Sequence, residues 1–103
     1  MNVIAVSTLR TFWLSQPDSE QPLKSWYQEV VHANWSGPSD LKEQFRSASI
    51  LKAGRVVFNI SGNRFRLVCQ IAYQTKWVFV KFVGTHEQYN QIDAQTIEHG
   101  GKK

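Results

Sequence analysis

The segment from Arg55 to Tyr89, RVVFNISGNRFRLVCQIAYQTKWVFVKFVGTHEQY, contains three runs of alternating side chains separated by short polar breaks. Side chains alternate across a strand with a period of two, so each run reads as a strand whose faces differ in character. In RVVFNI, Val56, Phe58 and Ile60 oppose Arg55, Val57 and Asn59. In RFRLVCQIAY, Phe65, Leu67, Cys69, Ile71 and Tyr73 oppose Arg64, Arg66, Val68, Gln70 and Ala72. In WVFVKFVG the division is Val78, Val80 and Phe82 against Trp77, Phe79, Lys81 and Val83. The first set of each pair belongs in a core, and every strand carries a polar or cationic residue on its other face. Ser61-Gly62-Asn63 and Gln74-Thr75-Lys76 are turn-forming breaks, which makes the segment an antiparallel meander.

The N-terminal half has helical spacing. After a first strand over Val3–Val6, Ser7 or Thr8 can cap a helix carrying Leu9, Phe12 and Trp13, which Pro17 closes. Ser19 is the expected N-cap of a longer helix with Pro22 in its first turn, and Leu23, Trp26, Tyr27, Val30 and Val31 recur at three and four. A third, short helix is expected from Gly37-Pro38-Ser39-Asp40, pairing Leu41 with Phe45. The order predicts an α+β fold: an N-terminal strand and helices packed on one face of an antiparallel sheet, with a short C-terminal helix. The other sheet face stays partly open.

The chain has 103 residues, of which 42% are hydrophobic and 13% aromatic, enough for one packed core and one domain spanning 1–103. A tail from about Glu98 is polar and expected to be mobile. The single cysteine, Cys69, allows no internal disulfide and sits among apolar neighbours as a small buried hydrophobe. MNVIAVSTL lacks the layout of a signal sequence, and no segment reaches the roughly 18 apolar residues of a membrane span, so the expectation is a cytoplasmic protein with no membrane partner. His32 and His99 have no Cys or carboxylate at ligand spacing, and no metal or other cofactor is expected. A formal charge of +4 favours an acidic partner. The placement of that charge on Arg64, Arg66 and Lys81 of one sheet face points to phosphate, while Asp18, Glu20, Glu29, Asp40 and Glu43 fall in the helical half.

Thr85-His86-Glu87-Gln88-Tyr89 has the spacing of a capping box, so a helix is expected to begin at His86. Its free N–H groups and positive end favour an anion, and residues three apart share a face, which would bring His86 and Tyr89 toward one phosphate or base. The same spacing also fits His86 as part of the cap and Tyr89 packed into the sheet.

Val57-Phe58-Asn59-Ile60-Ser61-Gly62-Asn63, Arg66-Leu67-Val68 and Phe82-Val83-Gly84-Thr85-His86-Glu87-Gln88-Tyr89 resemble the HigB toxins. Leu9 to Trp13, Trp26-Tyr27, Ala33-Asn34-Trp35 and Leu41 to Phe45 fit the same family, so the resemblance covers most of the chain except the tail. It implies a RelE-like fold and the toxin of a type II toxin-antitoxin pair, an endoribonuclease that cuts mRNA on the ribosome, with a HigA-like helix-turn-helix antitoxin as its partner. Cleavage by the 2′-OH without a metal would need a base, an acid and cations on the phosphate. Arg66 is the first candidate for phosphate, because its planar fork can hold two oxygens, and Lys81, on the next strand in the corresponding register, is the second. His86 is the candidate acid or base and Tyr89 a base-stacking or phosphate-bonding group. Arg64, Asn63, Asn59 and Arg55 are the candidate RNA contacts, and Asn63 fits equally a turn residue that tolerates positive φ beside Gly62. A non-catalytic RNA- or ribosome-binding domain that blocks translation is the alternative, using the same basic face without cutting.

Overall fold

The computed structural model describes residues 1–98. The expected mobile tail therefore lies outside the described residues, His99 included, except for Glu98 itself, whose side chain is held by Arg55 and Lys81.

Strand β1, Asn2–Ile4, leads into α1, Val6–Ser15, a short 3-10 turn over Pro17–Ser19, and α2, Glu20–Val31. Helix α3 covers Pro38–Gln44; β2, Ser49–Ile50, and a 3-10 turn at Lys52–Gly54 then lead into the meander β3, Arg55–Ile60, β4, Phe65–Ala72, and β5, Trp77–Thr85. Helix α4, His86–Tyr89, is a single turn. The five strands form one sheet in the order β1-β5-β4-β3-β2. The meander is antiparallel as its turns required, but β1 lies parallel to β5, with Asn2 beside Trp77 and Ile4 beside Phe79, so the sheet is mixed. The chain between β1 and β5 is long enough to carry the first strand back along the far edge, which is the connection a parallel pair needs.

The helices end where the sequence punctuates them. Gln16 caps α1 one residue before Pro17, and Pro38 occupies the first turn of α3. Ser19 precedes α2 as expected, yet its hydroxyl donates to the carbonyl of Gln16 and leaves the helix without a side-chain cap. Neither Ser7 nor Thr8 caps α1, which starts at Val6 after an extended Ala5. At the other end of α2, the Met1 amino group donates to the carbonyls of Val30, Val31 and Ala33. Val30 and Val31 end α2 and Ala33 lies just beyond it, and a positive charge there interacts favourably with the negative end of the helix dipole.

The core lies between the helices and one sheet face. Leu9, Leu23, Trp26, Val30 and Leu41 from the helices meet Val56, Phe58, Phe65, Leu67, Cys69 and Val78 from the strands. Phe58 is at its centre, 1% exposed, with edge-on contacts to Trp26 at 5.4 Å and Phe45 at 5.1 Å between ring centroids. Cys69 is fully buried, and that burial pushes its thiol far above the ordinary range, so it is an inert packing group.

The alternation expected for β5 holds only to Val80. Cys69 pairs with Val80 but Val68 pairs with Phe82, so Lys81 is an extra residue in the ladder. Such a bulge moves every later side chain to the opposite face. Val83 consequently packs against the core and Phe82 joins Val68 on the outer face, the reverse of the strict period-two assignment.

Replacing Phe58 by Ala should cost about 3–5 kcal/mol, the usual range for truncating a core aromatic. Equilibrium urea unfolding would show it as a lower midpoint with an unchanged slope.

Candidate functional site

Residues opposite one another in an antiparallel ladder share a face, so the register lays out the outer surface in three rows. Asn59, Arg66 and Gly84 form the row nearest α4; Val57, Val68 and Phe82 form the next; Arg55, Gln70 and Phe79 form the third.

The third row is covered. Arg55, expected to contact RNA, is 5% exposed. Its Nε donates to Gln70 Oε1 at 2.8 Å, its Nη1 to the carbonyls of Ala94 at 3.3 Å and Ile97 at 2.6 Å, and its Nη2 to Glu98 at 2.7 Å. The guanidinium thus fastens the C-terminal segment 93–98 across the sheet, a task that its polar-face position alone did not reveal. Gln95 pins the same segment by exchanging hydrogen bonds with the backbone of Lys52. Lys81 is not in register with Arg66, which lies opposite Gly84; its ammonium donates to the other oxygen of Glu98 at 2.8 Å. Glu98, outside the candidates drawn from sequence, is therefore shared by two cations from different strands. The hydrogen bond from Lys81 is the largest reason its carboxyl lies below the ordinary range, with Arg55 adding to the effect against a smaller opposing desolvation.

In the first row Asn59 and Arg66 are part-exposed and Gly84 is buried. Arg66 donates to the carbonyl of Asn63 at 2.9 Å, and its guanidinium carbon lies 5.6 Å from the centre of the Tyr89 ring. Planar guanidinium groups favour such aromatic faces. Asn59 stands directly across from Arg66 and donates to the carbonyl of Ser47 at 3.2 Å. Asn63 contributes its backbone to Arg66, and the positive φ expected there falls instead on Ser61 at 55° and Gly62 at 67°. The four-residue turn 61–64 is closed by the Arg64 N–H donating to the carbonyl of Ser61 at 3.2 Å.

The capping box at α4 is present in both halves: Gln88 N–H donates to Thr85 Oγ1 and Thr85 N–H to Gln88 Oε1. His86 is exposed at the first position, and its own N–H donates to the carbonyl of Arg64 at 3.0 Å. The free N–H groups expected to attract an anion are thus largely occupied, and α4 serves to place His86 and Tyr89 beside the end of β4. Arg64 turns away from them. Its Nη2 pairs with Asp18 at 2.9 Å and its guanidinium lies over the Phe65 ring, so acidic and basic halves meet here rather than standing apart.

Clefts of about 580 and 430 Å³ occur elsewhere, one between α1 and α2 beside Trp13 and Tyr27, the other beside Thr11, Phe12 and Val83. Neither cleft is lined by Arg66, His86 or Tyr89.

Helices packed on a five-stranded mixed sheet that ends in a short helix form an α+β architecture consistent with a RelE-like fold. The chain belongs to the HigB toxins, RelE-like toxic components of toxin-antitoxin systems, whose family model matches residues 19–92. It is also similar to the mRNA interferase HigB of Escherichia coli O6:H1, at 22% identity over 94 residues that cover 89% of this chain and 91% of that protein. Family membership brings an antitoxin partner with it.

Because the folded-state pKa of Glu98 is depressed, its contribution to docking the 93–98 segment is complete above the ordinary carboxylate range and is lost as pH falls through the depressed value. Amide protection factors of residues 94–98, taken against the intrinsic exchange rate at each pH, should therefore fall on acidification below that range, and Glu98→Gln should lower them already at neutral pH. Protection that is high and unchanged with pH in both proteins would contradict the assignment.

Proposed function

We propose that this chain is the toxin of a type II toxin-antitoxin pair and cuts mRNA on the ribosome, using the substrate's own 2′-OH as nucleophile. The observation that carries the reading is the Arg66 guanidinium held over Tyr89 on the first row, next to the turn that presents His86. The family and the name of the E. coli relative support the choice of mRNA as substrate.

In this reading Arg66 binds the scissile phosphate. The pentacoordinate transition state carries more charge than the ground state, so a donor fixed in advance stabilises it selectively. Two contacts fix this one: the Asn63 carbonyl and the Tyr89 ring. His86 exchanges a proton with either the attacking 2′-OH or the leaving 5′-oxygen, and its exposure gives a nucleotide direct access. Tyr89 stacks on a base or hydrogen-bonds the phosphate, and Asn59 and Asn63 line the strand's path. The products would be a 2′,3′-cyclic phosphate and a 5′-hydroxyl. Lys81 and Arg55 stand further along the sheet, and Arg64 is directed to Asp18, so none of these three joins Arg66 on one phosphate in this arrangement.

An antitoxin of the HigA-like helix-turn-helix kind is the proposed partner, and the cytoplasm the proposed compartment. Among the described residues no helix is long and apolar enough to cross a membrane. So few chemical groups at the surface depend on something else to hold the 2′-OH in line, and the ribosome supplies that constraint.

The test is to map transcript 5′ ends after brief induction, with and without ribosome stalling. New ends should appear within translated regions and fall by about 10²–10³-fold in Arg66→Ala and about 10²–10⁴-fold in His86→Ala. Growth arrest that persists in both variants without new ends would support translation block by binding alone, and efficient cutting of free RNA by substoichiometric protein would remove the ribosome from the scheme.

A further inference from the structure

We propose that Arg55 and Lys81 form a second phosphate subsite for the RNA strand, kept closed in the free protein by the carboxylate of Glu98. The ligand assigned to it rests on the RNA reading above.

Two cations from separate strands converge on the two oxygens of one carboxylate, Arg55 at 2.7 Å and Lys81 at 2.8 Å. A phosphodiester presents a comparable pair of anionic oxygens, and Arg in particular binds both kinds of group through the same fork. Arg55 is prepared for exchange. Its Nε is tied to Gln70 on the neighbouring strand, independently of residues 93–98, so the group keeps a fixed orientation if Glu98 departs. Glu98 is the exchangeable member, since its side chain is 53% exposed while those of Arg55 and Lys81 are 6% and 23% exposed. Its depressed pKa agrees with a site that prefers an anion at neutral pH.

Position supports the same conclusion. Arg55 and Gln70 occupy the outer face four residues along β4 from Arg66, about 13 Å at the usual strand rise, with the apolar Val57–Val68–Phe82 row between them. Val57 and Val68 of that row are buried and Phe82 is part-exposed, so a strand of RNA with one phosphate on Arg66 would pass over Phe82 and place a later phosphate on Lys81 and Arg55. Binding RNA and releasing the carboxylate of Glu98 then become one exchange.

The experiment uses the whole chain and a short 2′-O-methyl oligoribonucleotide, which binds but cannot be cut, followed by fluorescence anisotropy across a salt series. Glu98→Gln should bind roughly three- to tenfold more tightly, with a salt slope steeper by about 0.7, the value for one added phosphate on a single strand. Lys81→Gln combined with Glu98→Gln should lose both gains. Wild-type affinity and slope in Glu98→Gln, or gains that survive loss of Lys81, would overturn the proposal. An equal gain for polyglutamate would also overturn it, by making an acidic protein segment the ligand. Arg66→Ala separates this from the broader reading: weaker binding there without any Glu98 effect removes only the second subsite, whereas no effect of either substitution removes RNA from this face.

Discussion

One extra residue in β5 determines how the outer face of this protein is arranged. Lys81 has no partner position of its own in the ladder with β4, so the strand changes phase between Val80 and Phe82. Without the bulge, Phe82 would point into the core and Val83 outward. With it, Phe82 lies beside Val68, and Gly84 comes opposite Arg66. The close fit that follows leaves no space for a side chain at Gly84, because a Cβ there would lie 2.5 Å from Phe82 Cζ and 2.8 Å from Gln88 Oε1. Gly84 thus allows the Phe82 ring and the α4 capping box to share one place, which keeps α4 near Arg66. Bulges commonly redirect side chains at functional edges, and this one sets both ends of the surface.

The second organising contact is Arg55. A guanidinium buried to this degree needs several acceptors, and the chain supplies them from its own C-terminal segment, a glutamine on the neighbouring strand and Glu98. One residue therefore converts half of a sheet face from potential ligand surface into a docking site for residues 93–98. The remaining half carries Arg66, and its size is set by where that segment stops covering the sheet.

This division explains which features were legible in the sequence. The helices, the hairpins, the core residues and the capping box follow local rules, and Leu23, Trp26 and Val30, or Thr85 with Gln88, could be read at their own spacing. Arg66 and Tyr89 were legible singly as candidates for one phosphate, but their contact was not, because the register read from sequence put Lys81 rather than Gly84 across from Arg66. What could not be read depended on pairings remote in sequence. Arg55 and Arg66 look alike on a polar face, and only Ala94, Ile97 and Glu98, some forty residues from Arg55, distinguish them. Arg64 differs from Arg66 through Asp18, which is 46 residues away. The bulge left no local signal either, because WVFVKFVG is apolar on both faces and its alternation can be counted in either phase.

The same remote pairings give the surface its electrostatic focus. Arg64 faces the carboxylate of Asp18, and Arg55 and Lys81 share that of Glu98, so the field of the first is offset and that of the pair is halved close to the protein. Arg66 forms no ion pair among the described residues; a carbonyl oxygen and an aromatic ring hold it, and both orient a guanidinium without neutralising it. An exposed ion pair would have fixed the group at the expense of its charge, for a contribution to stability that is generally small. Holding it by a carbonyl and a ring leaves the full positive charge for a ligand and limits the side-chain reorganisation that binding requires. On the outer face of the strands Arg66 is the cation without a carboxylate partner among the described residues, and this placement, more than the net charge of +4, makes the Arg66 end suited to a phosphate.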